Sequence, residues 1–162
     1  SKKNEQEGLA LLESIGKQYS EVDKNSAGNQ AIQNIQSTAF DKNKIRIGSL
    51  YGPLSNKAIS DAVAKATTGL YYAMKGVGTD VKPFTAALSQ IKNKNTMALI
   101  DKSFKALYGE GLFEMMQGET ALNNVQYRGF SDKTKSSFAI PFYSDAHWHP
   151  SISAYLEKLP TY

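Results

Sequence analysis

Residues 70–80 read Leu-Tyr-Tyr-Ala-Met-Lys-Gly-Val-Gly-Thr-Asp. Upstream, Ile59, Val63, Ala66, Leu70 and Met74 recur at steps of three and four, one face of an α-helix. That helix runs straight into a Gly-x-Gly turn. Pro53 and Ser55 mark its start, with Ser55 as N-cap. Downstream, Val81, Phe84, Leu88 and Ile91 outline the next helix, capped by Thr79 or Asp80. Pro83 in its first turn favours Asp80, because proline is tolerated where a backbone N–H has no helical partner. Lys92 to Asn95 reads as a polar turn. Met97, Ile100, Phe104 and Leu107 mark a third helix that Gly109 stops, and Leu112, Met115 and Met116 mark a fourth with Glu119 near its end. The expected fold is all-α, a small helical bundle with short turns.

Away from this centre the signals weaken. Leu12, Ile15, Tyr19 and Val22 outline an N-terminal helix, and Gly28, Ile32, Ile35 and Ala39 a second, short one. Ile45 and Ile47 give a faint extended signal. Beyond Asn124 the pattern fades until Ile152, Tyr155, Leu156 and Leu159 suggest a last helix stopped by Pro160. The division that follows is an N-terminal helical segment over 1–54 packing on the core, a four-helix unit over 55–124, and an irregular C-terminal tail over 125–162 ending in the short helix.

The 162 residues suit one domain, and 41% hydrophobic content provides a core. No apolar run approaches the roughly 18 residues of a membrane span. The net charge is +4, yet Arg46 and Arg128 are the only arginines. Arginine is the usual bidentate reader of phosphate and guanine, so nucleic acid is not expected as a partner. The lysines read first as solvated helix faces, and such a surface can also attract anionic membranes non-specifically. Without cysteine, disulfides, thiolate catalysis and Cys-ligated zinc are excluded. The chain opens on Ser1 rather than Met, which fits removal of a signal peptide or an acylated Cys just before it; export or membrane association, as in a lipoprotein, is favoured over the cytoplasm.

Calcium takes roughly six to eight oxygens, backbone carbonyls and carboxylates among them. A helix end leaves carbonyls without partners, and glycine permits the sharp turns that aim them at one point. The carbonyls of Met74, Gly76 and Gly78 are therefore expected to converge. Glu119 would close the site with a bidentate carboxylate, and water would complete the shell. One formal negative charge implies weak intrinsic affinity, about 10⁻⁴–10⁻³ M. The open positions could then take lipid phosphate oxygens, so that ion and lipid each raise the other's affinity.

The surroundings of this loop resemble one repeat of the annexin family. Residues 70–80 look like a repeat's first helix and loop. Phe-Lys-Ala-Leu-Tyr-Gly (104–109) looks like the end of its third helix, and Gln-Gly-Glu-Thr (117–120) resembles the segment carrying the capping acidic residue. The match covers about residues 60–122 at near-family spacing. It implies a helical bundle that binds anionic phospholipid through calcium, with Met74, Gly76, Gly78 and Glu119 as ligands. The sequence departs from the family in having one visible repeat and no evident fifth helix. Val81 and Lys82 also stand where the family has an acidic residue and a capping-box Glu.

Two further features invite roles. Asp145, His147 and His149 lie close together, and two His at i, i+2 share one side of an extended strand, which would suit a second metal site. Phe138, Phe142, Tyr143 and Trp148 are expected to pack back on the domain's own core, with a segment that docks a protein partner as the alternative. No nucleophile–base, phosphate-loop or zinc-protease motif is present, and catalysis is not expected. The leading expectation is a calcium-binding, annexin-like module that docks to an anionic lipid or glycan surface. The alternative is a non-catalytic structural or assembly component of an exported bacterial complex or virion, with a vestigial calcium loop. A metal-dependent enzyme built on His147 and His149 ranks third.

Overall fold

The computed structural model describes residues 27–76, 79–119 and 150–162. Six α-helices account for most of them: α1 (Ala27–Gln36), α2 (Asn56–Met74), α3 (Val81–Ser89), α4 (Lys94–Tyr108), α5 (Leu112–Gln117) and α6 (Pro150–Lys158). A 3-10 turn at Lys42–Lys44 leads into a two-stranded antiparallel hairpin, β1 (Arg46–Ile47) and β2 (Leu50–Tyr51), which pairs Arg46 with Tyr51 and Ile47 with Leu50. The fold is all-α, a small helical bundle, as the periodicity requires. The helix read at Leu12–Val22 and the tail features at 138–149 lie outside the described residues. No helix among the described residues is long and apolar enough to cross a membrane.

The helix ends follow local chemistry. Ser55 Oγ accepts from the Ala58 N–H at 3.1 Å and so caps α2. Gly109 takes φ +87° and ends α4, a conformation that a side chain disfavours. Asp80 occupies the cap position of α3, but its side chain makes no cap hydrogen bond.

α2 packs against both α3 and α4, α5 closes on α2 and α4, and α1 lies against α4 and α6. Leu70, Phe84, Leu88, Ile100, Phe104 and Leu112 meet in the fully buried centre. Near one end, Tyr71 and Tyr108 stack with ring centroids 3.7 Å apart, and Phe104 sits beside both. The last turns of α2 and α4 thus meet at the Gly-x-Gly end of the bundle.

The opposite end is held by polar contacts, and it corrects the reading of 92–95 as a polar turn. Helix α4 already begins at Lys94, with Asn93 as its N-cap, and Asn93, Asn95 and Thr96 are buried. Asn93 Oδ1 accepts from the Thr96 N–H at 2.8 Å and from the Thr96 hydroxyl at 2.6 Å. Asn95 exchanges hydrogen bonds with the Asp41 backbone, accepting from its N–H at 2.8 Å and donating to its carbonyl at 2.9 Å. Asn95 also donates to the Lys44 carbonyl at 3.1 Å, and Arg46 N–H donates to Thr96 Oγ1 at 2.9 Å. The C-terminal residues join the same end: Lys94 N–H donates to Pro160 O, Asn95 N–H to Thr161 O, and the Lys94 ammonium caps the Glu157 and Leu159 carbonyls of α6. Tyr155 donates its hydroxyl to Ile91 O at 2.6 Å, and burial pushes its phenol up to about 12.

Leu107 is a second correction. Its spacing continues the inward stripe of α4, yet it is 59% exposed, because the next residue, Tyr108, takes the inward position four after Phe104 and packs on Tyr71 and Phe104.

Candidate metal centre

Helix α2 ends where Lys75 N–H donates to Tyr71 O at 2.8 Å. Gly76 follows at φ +126°, a backbone conformation that L side chains rarely adopt. The loop then folds back, since Asp80 N–H donates to the Ala73 carbonyl at 2.7 Å. That bond ties Asp80, at the start of α3, back to the last turn of α2. Among the described residues, no backbone N–H donates to the carbonyl of Met74 or Gly76. Met74 carries a thioether buried in the core, and its backbone carbonyl is the oxygen it offers. Gly78 lies outside the described residues, as do Asp145, His147 and His149.

Glu119 approaches from the other side. Its position is set by Asp101, whose Oδ1 accepts from the Leu112 N–H at 2.9 Å and whose Oδ2 accepts from the Gln36 amide at 3.1 Å. This anchors the first turn of α5 to α4 and α1. Gly111 is tight against the same carboxylate: a Cβ there would lie 2.6 Å from Asp101 Oδ1. Past the end of α5, Glu119 N–H donates to Met116 O at 3.0 Å, which turns the Glu119 side chain toward Thr79.

The environment of that side chain is unusual for a carboxylate. Burial raises the Glu119 carboxyl to about 7, and the nearby Thr79 hydroxyl opposes the rise only in part. The Thr79 hydroxyl approaches Glu119 as a weak hydrogen-bonding neighbour, but Thr79 Oγ1 and Glu119 Oε1 do not complete a well-formed bond, and both atoms are closed off from solvent. No lysine or arginine among the described residues pairs with Glu119. A carboxylate oxygen closed off from solvent beside a hydroxyl, with the Met74 and Gly76 carbonyls on the same loop, is a set of hard oxygen donors. Those donors fit a calcium ion, which would supply the missing countercharge. Met74 O, Gly76 O and the Glu119 carboxylate are the described groups that could hold it. Among the described residues no three His, Cys, Asp or Glu side chains gather, so any ion there depends on backbone oxygens.

Thr79 is the participant that the sequence did not single out. It reads there as a possible helix cap, but Asp80 takes that position and leaves the Thr79 hydroxyl facing Glu119. Its place directly after the second glycine of the loop was the available signal.

Tyr72, near the end of α2, is 66% exposed, and the Lys75 ammonium lies 5.5 Å from the Tyr72 ring centroid and 5.9 Å from that of Tyr71. Burial raises the Tyr108 phenol above its ordinary range, with a smaller contribution from Tyr72.

Comparison with protein-family models, with curated proteins and with solved structures gave no match.

Proposed function

We propose that this protein is a calcium-binding, annexin-like module that uses the bound ion to dock on an anionic lipid surface. The observation that supports this is the orphaned oxygen of Glu119, buried against Thr79 at the Gly-x-Gly loop. A fold that buries a carboxylate oxygen without a donor carries a cost, and a divalent cation removes it. The carbonyls of Met74, Gly76 and Gly78 complete the donor set in this reading. Docking is supported by the exposed Tyr72 with the Lys75 ammonium against its ring, an aromatic and cationic pair of the kind that settles at a lipid–water interface.

Calorimetric titration with calcium tests the ion site. The parent protein should bind with a dissociation constant of about 10⁻⁴–10⁻³ M, and Glu119→Gln should lose at least about tenfold in affinity. Equal heats for the two proteins, or none for either, would leave the loop as a helix joint, the role it has in a structural component. Pelleting with phosphatidylserine vesicles then tests docking: calcium should increase the bound fraction and chelator should reverse it.

A further inference from the structure

The end of the bundle away from the Gly-x-Gly loop carries a second site. Thr96, in the first turn of α4, marks that end and Tyr108 the other; the helix rises about 18 Å between them at roughly 1.5 Å per residue. Here the 41–53 segment and Tyr162 enclose a cleft of ≈ 770 Å³, with Asp41, Lys44, Arg46, Tyr51 and Tyr162 in its wall.

Arg46 is the centre of this cleft. Its backbone is fixed by the Thr96 hydroxyl and by pairing with Tyr51 across the hairpin. Its guanidinium carbon lies 4.9 Å from the Tyr51 ring centroid, a cation–π contact that holds the plane of the group. Nε of Arg46 is buried and has no hydrogen-bond partner. No carboxylate among the described residues forms an ion pair with it. Asp41, the acid in the wall, already uses Oδ1 to accept from the Asn43 N–H at 2.9 Å. Lys44 adds a second positive charge. The wall is also firm: a Cβ at Gly52 would fall 2.3 Å from the Asn43 carbonyl oxygen, so the two backbone segments are in direct contact.

A guanidinium presents its N–H donors in a planar fork that matches two oxygens of a carboxylate or phosphate. A fold that has removed water from Nε without supplying an acceptor leaves that fork incomplete. The cleft is far larger than a bare anion and lies within the ~300–1,000 Å³ range of small-molecule sites. Tyr51, 59% exposed, and Tyr162 give it flat apolar surface at the rim.

We infer that this cleft binds a small aromatic oxyanion, a carboxylate or phosphate monoester whose two oxygens engage the Arg46 fork while its ring lies against the tyrosines at the rim. The inference is independent of the calcium site, and binding should be the same in Glu119→Gln and in the presence of chelator.

The chain has two arginines, so an NMR spectrum tuned to arginine Nε–H groups contains at most two signals to follow. Titration with benzoate, phenyl phosphate and inorganic phosphate separates carboxylate from phosphate and tests whether the ring counts. The Arg46 signal should shift and saturate with benzoate or phenyl phosphate, and inorganic phosphate should bind at least about tenfold more weakly. Arg46→Lys should weaken binding of the aromatic ligand at least about tenfold while the backbone spectrum stays folded. Tyr51→Leu, which keeps the arginine and removes one of the two rings at the rim, should reduce the preference for a ring. The inference is overturned by an absence of saturable shift with all three ligands. It is also overturned by parallel shifts at Arg128, or by inorganic phosphate binding as tightly as the aromatic ligands.

Discussion

Glu119→Gln stabilises the calcium-free protein at pH 8 relative to the parent, and this advantage disappears at pH 4. The Glu119 carboxyl is raised from 4.5 to about 7 in the folded protein, chiefly by burial. Between those values the folded state holds a proton that the unfolded state has released, so stability falls as pH rises through this window. The contribution is fully present below the unfolded value and is lost above about 7. Glutamine has no proton to lose and escapes the penalty. With allowance for partial solvent access at Glu119, the difference between parent and variant should change by about 1–2 kcal/mol from pH 4 to pH 8. Urea melts of both proteins at the two pH values measure it. A constant difference would mean that Glu119 is solvated. Adding calcium at pH 8 should raise the stability of the parent and leave the variant where it was, since only the parent offers the ion a carboxylate.

Asn95→Ala destabilises the protein by about 2–4 kcal/mol, the cost of leaving several buried groups unpaired. The Asn95 side chain makes three hydrogen bonds, two with the Asp41 backbone and one with the Lys44 carbonyl. Its removal strands the Asp41 N–H at the point where the hairpin segment meets α4. The neighbouring Asn93 also donates to the Lys44 carbonyl, at 2.8 Å, which limits the damage to that group. Chemical denaturation should show a lower midpoint with an unchanged slope. A change under about 0.5 kcal/mol, the range of ordinary surface substitutions, would contradict the role assigned to this residue.

Much of the helical layout could be read from single residues. Ser55 caps α2, Gly109 stops α4, Pro83 sits in the first turn of α3, and α6 ends just before Pro160. These positions are governed by backbone chemistry within one turn, which a sequence displays directly. Asn95 was misread because an asparagine looks the same whether water or a backbone segment from a distant part of the chain satisfies it. Leu107 was misread because the positions three and four after Phe104 both suit an inward stripe, and Tyr108 rather than Leu107 fills it. The faint extended signal at Ile45 and Ile47 did mark the hairpin, but its pairing with Leu50 and Tyr51 depends on a turn at Gly48 with φ +59° that no alternating pattern announces.

The candidate sites divide in the same way. Gly76 and Glu119 were visible because a loop and a remote acid stood at a spacing similar to that of annexin repeats. Thr79 escaped notice because its hydroxyl acts across the fold rather than along the helix it precedes. Arg46 showed only as a rarity in a lysine-rich chain. Its significance comes from the burial of Nε and the ring of Tyr51, which are properties of packing.

The proposal for the calcium site rests on Glu119 being a desolvated carboxylate that lacks a countercharge. The most direct measurement is the carbon-13 shift of the Glu119 side-chain carboxyl, followed against pH with and without calcium. Without calcium, the carboxyl should titrate at about 7; with calcium it should already be ionised at pH 6, because the ion displaces the proton. A carboxyl that titrates in the ordinary glutamate range, with no response to calcium, would contradict the site.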